Sequence, residues 1–272
     1  MKYKIGLNII IFLVVVLFFI FFFSIIRYES FDNDTDTEIK LAYVSGYVGP
    51  IDNNLYATPR IPNKIENIDC YFITNVETVA HEAETNGWAV IIIAHPSDHS
   101  YHGCTRACKK LKIFPQSYVP SDKRDEYDFI LWFDNKFDPI HSDIKIVLNK
   151  WDKSKAMAMH YHPKLANENG LGSVYEEINL SMDQDRYKLE YDQYKNYVDG
   201  EISLKYSPEN EKHYTCCFII YYLKNTITYK IQETWWTHVQ QCGIQDQISM
   251  FFVAQRFKNE IINFEGGGQC GG

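Results

Sequence analysis

The 272-residue chain is short of basic residues, has no internal repeat, and has no cysteine spacing that spells out a disulfide framework. Its 27 Lys and Arg stand against 35 Asp and Glu, a formal net charge of −8. Three of the basic residues, Lys2, Lys4 and Arg27, flank one apolar stretch; without them 24 basic residues face 35 acidic ones, which argues against a nucleic-acid partner. The missing repeat excludes solenoid and propeller architectures. Seven cysteines are an odd number, so at least one is free or paired between chains. The densest set of potential metal ligands, His95, His99, His102, Cys104 and Cys108, has spacings that fit no usual zinc pattern.

What is abundant is apolar and aromatic: 46% and 15% of residues, enough for one sizeable core or two small ones. Residues 5–26 are apolar throughout except for Gly6, Asn8 and Ser24. A run of that length crosses a bilayer, which takes roughly 20 residues. It stays rich in Phe and Ile to its end, without the small residues of a cleavage site, and so reads as an uncleaved signal anchor. A cleaved signal peptide is the competing reading. The expected organisation is a cytoplasmic N-terminus (1–4), a transmembrane anchor (5–26), a short acidic stem (27–38), one domain (39–264) and a Gly-rich flexible tail (265–272). The weak basic bias before the span predicts a single-pass type II protein, its domain lumenal (Golgi or ER in a eukaryote) or extracytoplasmic. Asn33 and Asn179 begin glycosylation sequons.

Within the domain the apolar runs are short and separated. Residues 39–44, 68–74, 88–94, 129–133, 155–162 and 215–223 have the length and the β-branched or aromatic content of strands. Between them, 105–114 carries Ala107, Leu111 and Phe114 on one helical face. A second helix carries Ile144, Val147, Leu148 and Trp151, with Ser142 or Asp143 able to cap it. Residues 173–200 read as one or two surface helices, and 231–257 as two helical segments broken at Gly243. Strands alternating with helices predict an α/β domain whose mostly parallel sheet is covered on both faces.

In such sheets ligands bind beyond the carboxyl ends of strands, and the stretch FILWFDNKFD puts Asp134 there. A carboxylate at that point can ligate a divalent cation that also takes diphosphate oxygens. Asp134-Asn135 is also ordinary turn chemistry, and the position two residues on is Lys136 rather than a second Asp. Arg106, Lys109, Lys110 and Lys112 can pair with phosphate or form a solvated basic face. His160 and His162 share a strand face, and Glu176 and Glu177 open a helix, where acidic residues suit the dipole. Of the adjacent Trp235 and Trp236, one alone can face a core, which leaves the other to stack on a sugar or nucleotide ring. Asp246 opens the last helix and is placed to orient or deprotonate an acceptor hydroxyl.

Taken in order, the blocks AYVSGY, IDCYFITN, GWAVI, RACKKLKIFP, WFDNK, His162-Pro163, YEE, Trp235-Trp236 and QDQIS resemble those of a glycosyltransferase-like family long known only as a domain of unknown function. It has plant members linked to cell-wall polysaccharide synthesis, a plant member assigned as a ceramidase, and bacterial and viral members. The resemblance covers nearly the whole domain and implies a Rossmann-like GT-A fold with an Asp-centred donor site. It implies Asp134 as the donor-site metal ligand, with Mn²⁺ or Mg²⁺ as cofactor. Arg106, Lys112, Trp132, Asn135, His162, Trp236 and Gln247 would line the donor and substrate site, and Asp246 and Glu177 would be catalytic. The chain departs from the family pattern at Asn135, where Gly is common, at Gln245, where Arg precedes Asp-Gln, and at Asn75, where Asp is common.

The expected function is a membrane-anchored glycosyltransferase taking a nucleotide-sugar donor to a glycan, protein or lipid acceptor. The alternatives are a non-catalytic carbohydrate-binding or structural protein on a degenerate transferase fold, and a metal-dependent lipid amidase.

Overall fold

A computed structural model describes residues 39–50, 61–135 and 137–270. The anchor, the stem, the cytoplasmic N-terminus and Lys136 lie outside these residues. Among the described residues no helix is long and apolar enough to cross a membrane.

The chain begins with β1 (Leu41–Tyr47), β2 (Asp69–Thr74), α1 (Glu77–Thr85), β3 (Ala89–Ile92), α2 (Tyr101–Ile113), α3 (Ser121–Arg124) and β4 (Phe129–Phe133). It continues through β5 (Phe137–Pro139), α4 (His141–Asn149), β6 (Met157–Tyr161), β7 (Leu171–Ser173), α5 (Val174–Ser181), α6 (Asp185–Lys188) and α7 (Tyr191–Ser203). It ends with β8 (Glu209–Lys212), β9 (Tyr214–Tyr222), α8 (Thr226–Cys242), α9 (Asp246–Arg256), β10 (Ile261–Asn263) and β11 (Gly268–Cys270).

Seven strands form the central sheet in the order β10-β6-β9-β4-β1-β2-β3. β1 pairs in parallel with β2 and β4, β2 with β3, and β6 with β10. β9 alone is reversed, antiparallel to both β4 and β6. The run β4-β1-β2-β3 is the strand order of a Rossmann-type half, with the direction of chain progression reversing between β1 and β4.

The strands are apolar on both sides because both sides are covered. Ala42, Val44, Ile130 and Trp132 join one core with Leu111, Trp235 and Met250 from α2, α8 and α9. The alternate residues Tyr43, Leu131 and Phe133 join a second core with Val79 and Ala83 of α1 and Ile144 and Leu148 of α4. The two-residue period thus sorts each strand between two layers of helix.

Residues 173–200 form three helices rather than one or two, and they are more than surface. Val174, Ile178, Tyr187, Tyr194, Tyr197 and Val198 make a third core with Ile248, Phe251 and Phe252 of α9. Tyr-rich helices with interspersed charge look solvated in sequence, yet every third or fourth residue faces inward. α1 has only Val79, Ala80 and Ala83 buried, too sparse a stripe to announce a helix. Neither Ser142 nor Asp143 caps α4, whose N-cap is Ile140; the Asp143 carboxylate accepts instead from the Gly267 amide at 3.3 Å. The Gly-rich end is in part structured, since β11 pairs antiparallel with β5, which begins three residues after Asp134.

Candidate active site

β4 runs its apolar length to Phe133, and at Asp134 the chain turns. The Phe137 amide donates to the Asp134 carbonyl at 2.8 Å, so the residues after the strand do form a turn. The Asp134 amide donates to the Cys217 carbonyl on β9, which fixes the backbone and aims the side chain out of the strand end. That side chain is also engaged. Trp132 Nε1 donates to Asp134 Oδ1 at 3.0 Å, and the Lys112 ammonium lies 3.0 Å from Oδ1 and 3.3 Å from Oδ2.

Lys112 comes from the last turn of α2. Side chains of a helix lean toward its N-terminus, and residues three apart share a face, so Lys109 and Lys112 reach in one direction. There they meet Asp246, the first residue of α9: Lys109 Nζ is 2.7 Å from Oδ1, and Lys112 Nζ is 3.1 Å from Oδ2. The second contact is an ion pair without hydrogen-bond geometry. Only 4% of the Lys112 side chain and 3% of the Asp246 side chain reach solvent, against 27% for Asp134. The Lys112 backbone is held as well, its carbonyl accepting from the Tyr221 hydroxyl of β9.

Buried charges persist only when paired. Burial by itself lifts the Asp246 carboxyl, but Lys109 and then Lys112 outweigh it and hold it at about 2. Burial likewise opposes the charge on Lys112, and Asp134 and Asp246 outweigh it, leaving the ammonium well above the usual lysine range.

Gln247, beside Asp246, carries the network to a second buried carboxylate. Its Nε2 donates to Glu177 Oε2 at 2.9 Å, and Gln245 Nε2 donates to Glu177 Oε1 at 2.8 Å. His213 Nε2 is 3.2 Å and His162 Nε2 is 3.8 Å from Oε2. The amides of Lys164 and Leu165 donate to His162 Nδ1, so the ring proton sits on Nε2, facing Glu177. Burial lowers the His162 pKa, Glu177 opposes that, and His213 and Lys164 add to it.

Of the residues expected to form a site, Lys112, Trp132, Asp134, His162, Glu177, Asp246 and Gln247 join in one connected network at the carboxyl edge of the sheet. Trp132 is buried beneath Asp134 and orients it rather than facing a ligand. Three others stand apart. Asn135 follows in the turn. Trp236 lies on the partly buried face of α8 with Lys110 Nζ 5.8 Å from its ring centre, while Trp235 is the core-facing member of the pair. Arg106 is 3.6 Å from Glu190 Oε1, with a buried Nε that has no hydrogen-bond partner. His213 completes the network without having been singled out, and Lys109, expected only as one of four basic residues able to meet phosphate, pairs with Asp246. Lys109 shows its role only as the i−3 neighbour of Lys112, and His213 only once β9 is known to lie beside β6.

A divalent metal on Asp134 is not supported by this donor set. Both Asp134 oxygens face the Lys112 ammonium, the two carboxylates are balanced by two lysines, and an ion 4 Å from that ammonium would meet about 8 kcal/mol of repulsion at an effective dielectric of 20. Among the described residues no group of three or more His, Cys, Asp or Glu could hold a metal ion. An open hollow of about 620 Å³ lies elsewhere, lined by Lys164, Asn167, Ser173, Glu176, Asn179 and Glu209. It contains none of the networked carboxylates and lysines, so this hollow and the charged network are separate features.

No protein-family model matches the chain, and no curated protein matches it. Among solved structures it is similar to the apo form of mouse xyloside xylosyltransferase 1, at 8% identity and a TM-score of 0.48, over 82% of this chain and 84% of that one. It is also similar to the apo bifunctional glycosyltransferase WbbM, at 10% identity and a TM-score of 0.42, over 83% of this chain and 39% of that one.

Proposed function

We propose that the chain is a glycosyltransferase, anchored by residues 5–26, that moves a sugar from a nucleoside-diphosphate donor to a hydroxyl of a glycan, protein or lipid. The observation that carries this reading is the convergence of seven expected site residues, drawn from α2, the ends of β4 and β6, α5 and α9, into one network. It lies at the carboxyl edge of the sheet beside the β1/β4 reversal, where open α/β sheets take their ligands. The order of motifs in the sequence supports the same reading.

In such a transfer the acceptor hydroxyl oxygen bonds to the anomeric carbon. The bond from that carbon to the diphosphate breaks with its electron pair, and the hydroxyl proton passes to a base. Asp246 is a poor base, since both of its oxygens face ammonium groups and it stays ionised down to about pH 2. It acts as a positioning residue for Lys109 and Lys112. Glu177, saturated by Gln245, Gln247 and His213, positions α5 and α9 in the same way. Asp134, the carboxylate of the network that reaches solvent, is the one a donor meets.

The test is to titrate the full chain with UDP- and GDP-sugars and to follow donor hydrolysis and transfer. Binding and turnover of one donor class is expected, with Asp134→Asn lowering kcat/KM by about 100-fold or more. Binding without turnover would favour a carbohydrate-binding protein. Ceramide cleavage with no donor binding would overturn the reading in favour of a lipid amidase.

A further inference from the structure

The charges around Asp134 bear on what the site takes as its cation. We propose that Lys112 is a built-in counter-ion standing between Asp134 and Asp246 where a metal-dependent site would hold a divalent cation, so that a nucleotide-sugar is bound without such a metal. The proposal rests on the transferase reading for its ligand, but its core is a statement about cations alone.

Three observations carry it. A single nitrogen, Lys112 Nζ, is within 3.1 Å of an oxygen of both carboxylates, which lie 112 residues apart in the chain. Each of the three groups is independently held in place: the Lys112 carbonyl by Tyr221, Asp134 Oδ1 by Trp132 Nε1, and the Asp246 carbonyl by Trp235 Nε1 at 3.3 Å. Lys109 completes the balance at 2.7 Å from Asp246, so two positive and two negative side chains leave no net charge to attract a metal. The Lys112 side chain is 4% exposed and enclosed, with its charge engaged on both sides. A carboxylate neutralised from behind, with its outer edge open, is an acceptor for hydroxyl donors. Asp134 is therefore assigned to a hydroxyl of the donor's sugar or ribose rather than to a metal bridging its phosphates.

The same geometry predicts what removing the ammonium does. Lys112→Met keeps the length of the stem and leaves two carboxylates facing one small space, with oxygen ligands suited to a hard cation. Mn²⁺ uptake by the full chain, followed by electron paramagnetic resonance, should show none for the wild type and one ion for Lys112→Met, with the variant's melting temperature raised by Mn²⁺. UDP affinity of the wild type should agree within about twofold in Mn²⁺ and in EDTA. Uptake of one Mn²⁺ by the wild type, lost in Asp134→Asn, would overturn the proposal. A wild-type UDP affinity about tenfold or more weaker in EDTA would do the same. If Lys112→Met does not fold, the wild-type Mn²⁺ titration decides. If UDP binds under neither condition, the transferase reading fails, and the Mn²⁺ titrations still decide the proposal about Lys112.

Discussion

At the residue scale, Asn75 shows why a departure from the motif pattern that the sequence resembles can be a local requirement. It follows β2, and its amide grips Gly49 from both sides: Oδ1 accepts from the Gly49 amide at 2.9 Å, and Nδ2 donates to the Gly49 carbonyl at 2.7 Å. An aspartate can do only the first and sets an anion against a carbonyl oxygen. Asn75→Asp should therefore destabilise the fold by about 1–3 kcal/mol, read from the urea midpoint, although the two side chains have the same shape. An unchanged midpoint would show that the paired bonds contribute nothing. Gln245 follows similar logic: its amide donates to Glu177 Oε1 at 2.8 Å and to Ser181 Oγ at 2.9 Å, filling with a neutral donor the place where the resembled motif has arginine.

At the element scale, the site depends on the break between α8 and α9. The break is Gly243, at φ +120° and ψ −164°, a region essentially reserved for glycine. A Cβ there would also collide with Glu190 Oε2, which accepts from the Ile244 amide at 2.7 Å and from the Tyr194 hydroxyl at 2.9 Å. The break sets where α9 begins, and α9 begins with the Asp246-Gln247 pair that joins the two carboxylate clusters. Gly243→Ala should cost about 1–3 kcal/mol from backbone strain alone, seen as a lowered melting temperature, and should reduce donor turnover through displaced Asp246. A variant with wild-type melting temperature and turnover would show that the start of α9 is set elsewhere.

At the scale of the whole molecule, the buried titratable groups predict how stability follows pH. Burial holds His160, His162 and His238 below the usual histidine value of 6.5. Above that value both folded and unfolded chains are neutral at these positions. Below it the unfolded chain binds protons that the native one refuses, so stability declines as pH falls from 6.5 toward the lowered native values. Asp246 acts in a lower window. Its contribution is present above the ordinary carboxyl value of 3.8 and is lost as pH falls toward about 2, a loss of about 2 kcal/mol. Urea unfolding at steps from pH 8 to pH 2.5 should show a first decline starting near pH 6.5 and a second below pH 4. His162→Gln should lessen the first, and a flat profile between pH 6.5 and 4.5 would contradict the assignment.

The sequence by itself determined the α/β class, the four strands of the Rossmann-type half and the break at Gly243. Those signals are local: short apolar runs, a helical stripe and a residue with special backbone freedom. It also brought Asp134 forward, because the end of a strand is visible as the end of an apolar run. It did not reveal the reversal of β9, since a strand buried on both faces reads the same in either direction, nor the inward faces of the helices in 173–200, where tyrosines and charges share each turn. Only the tertiary structure decided which charges meet. Lys112, Asp134 and Asp246 are separated by 22 and 112 residues, and no local pattern records that one ammonium stands between two carboxylates. Pairing of buried charges is a property of packed space, and here packing sets a lysine ammonium against the carboxylate that its place at a strand end had offered to a metal.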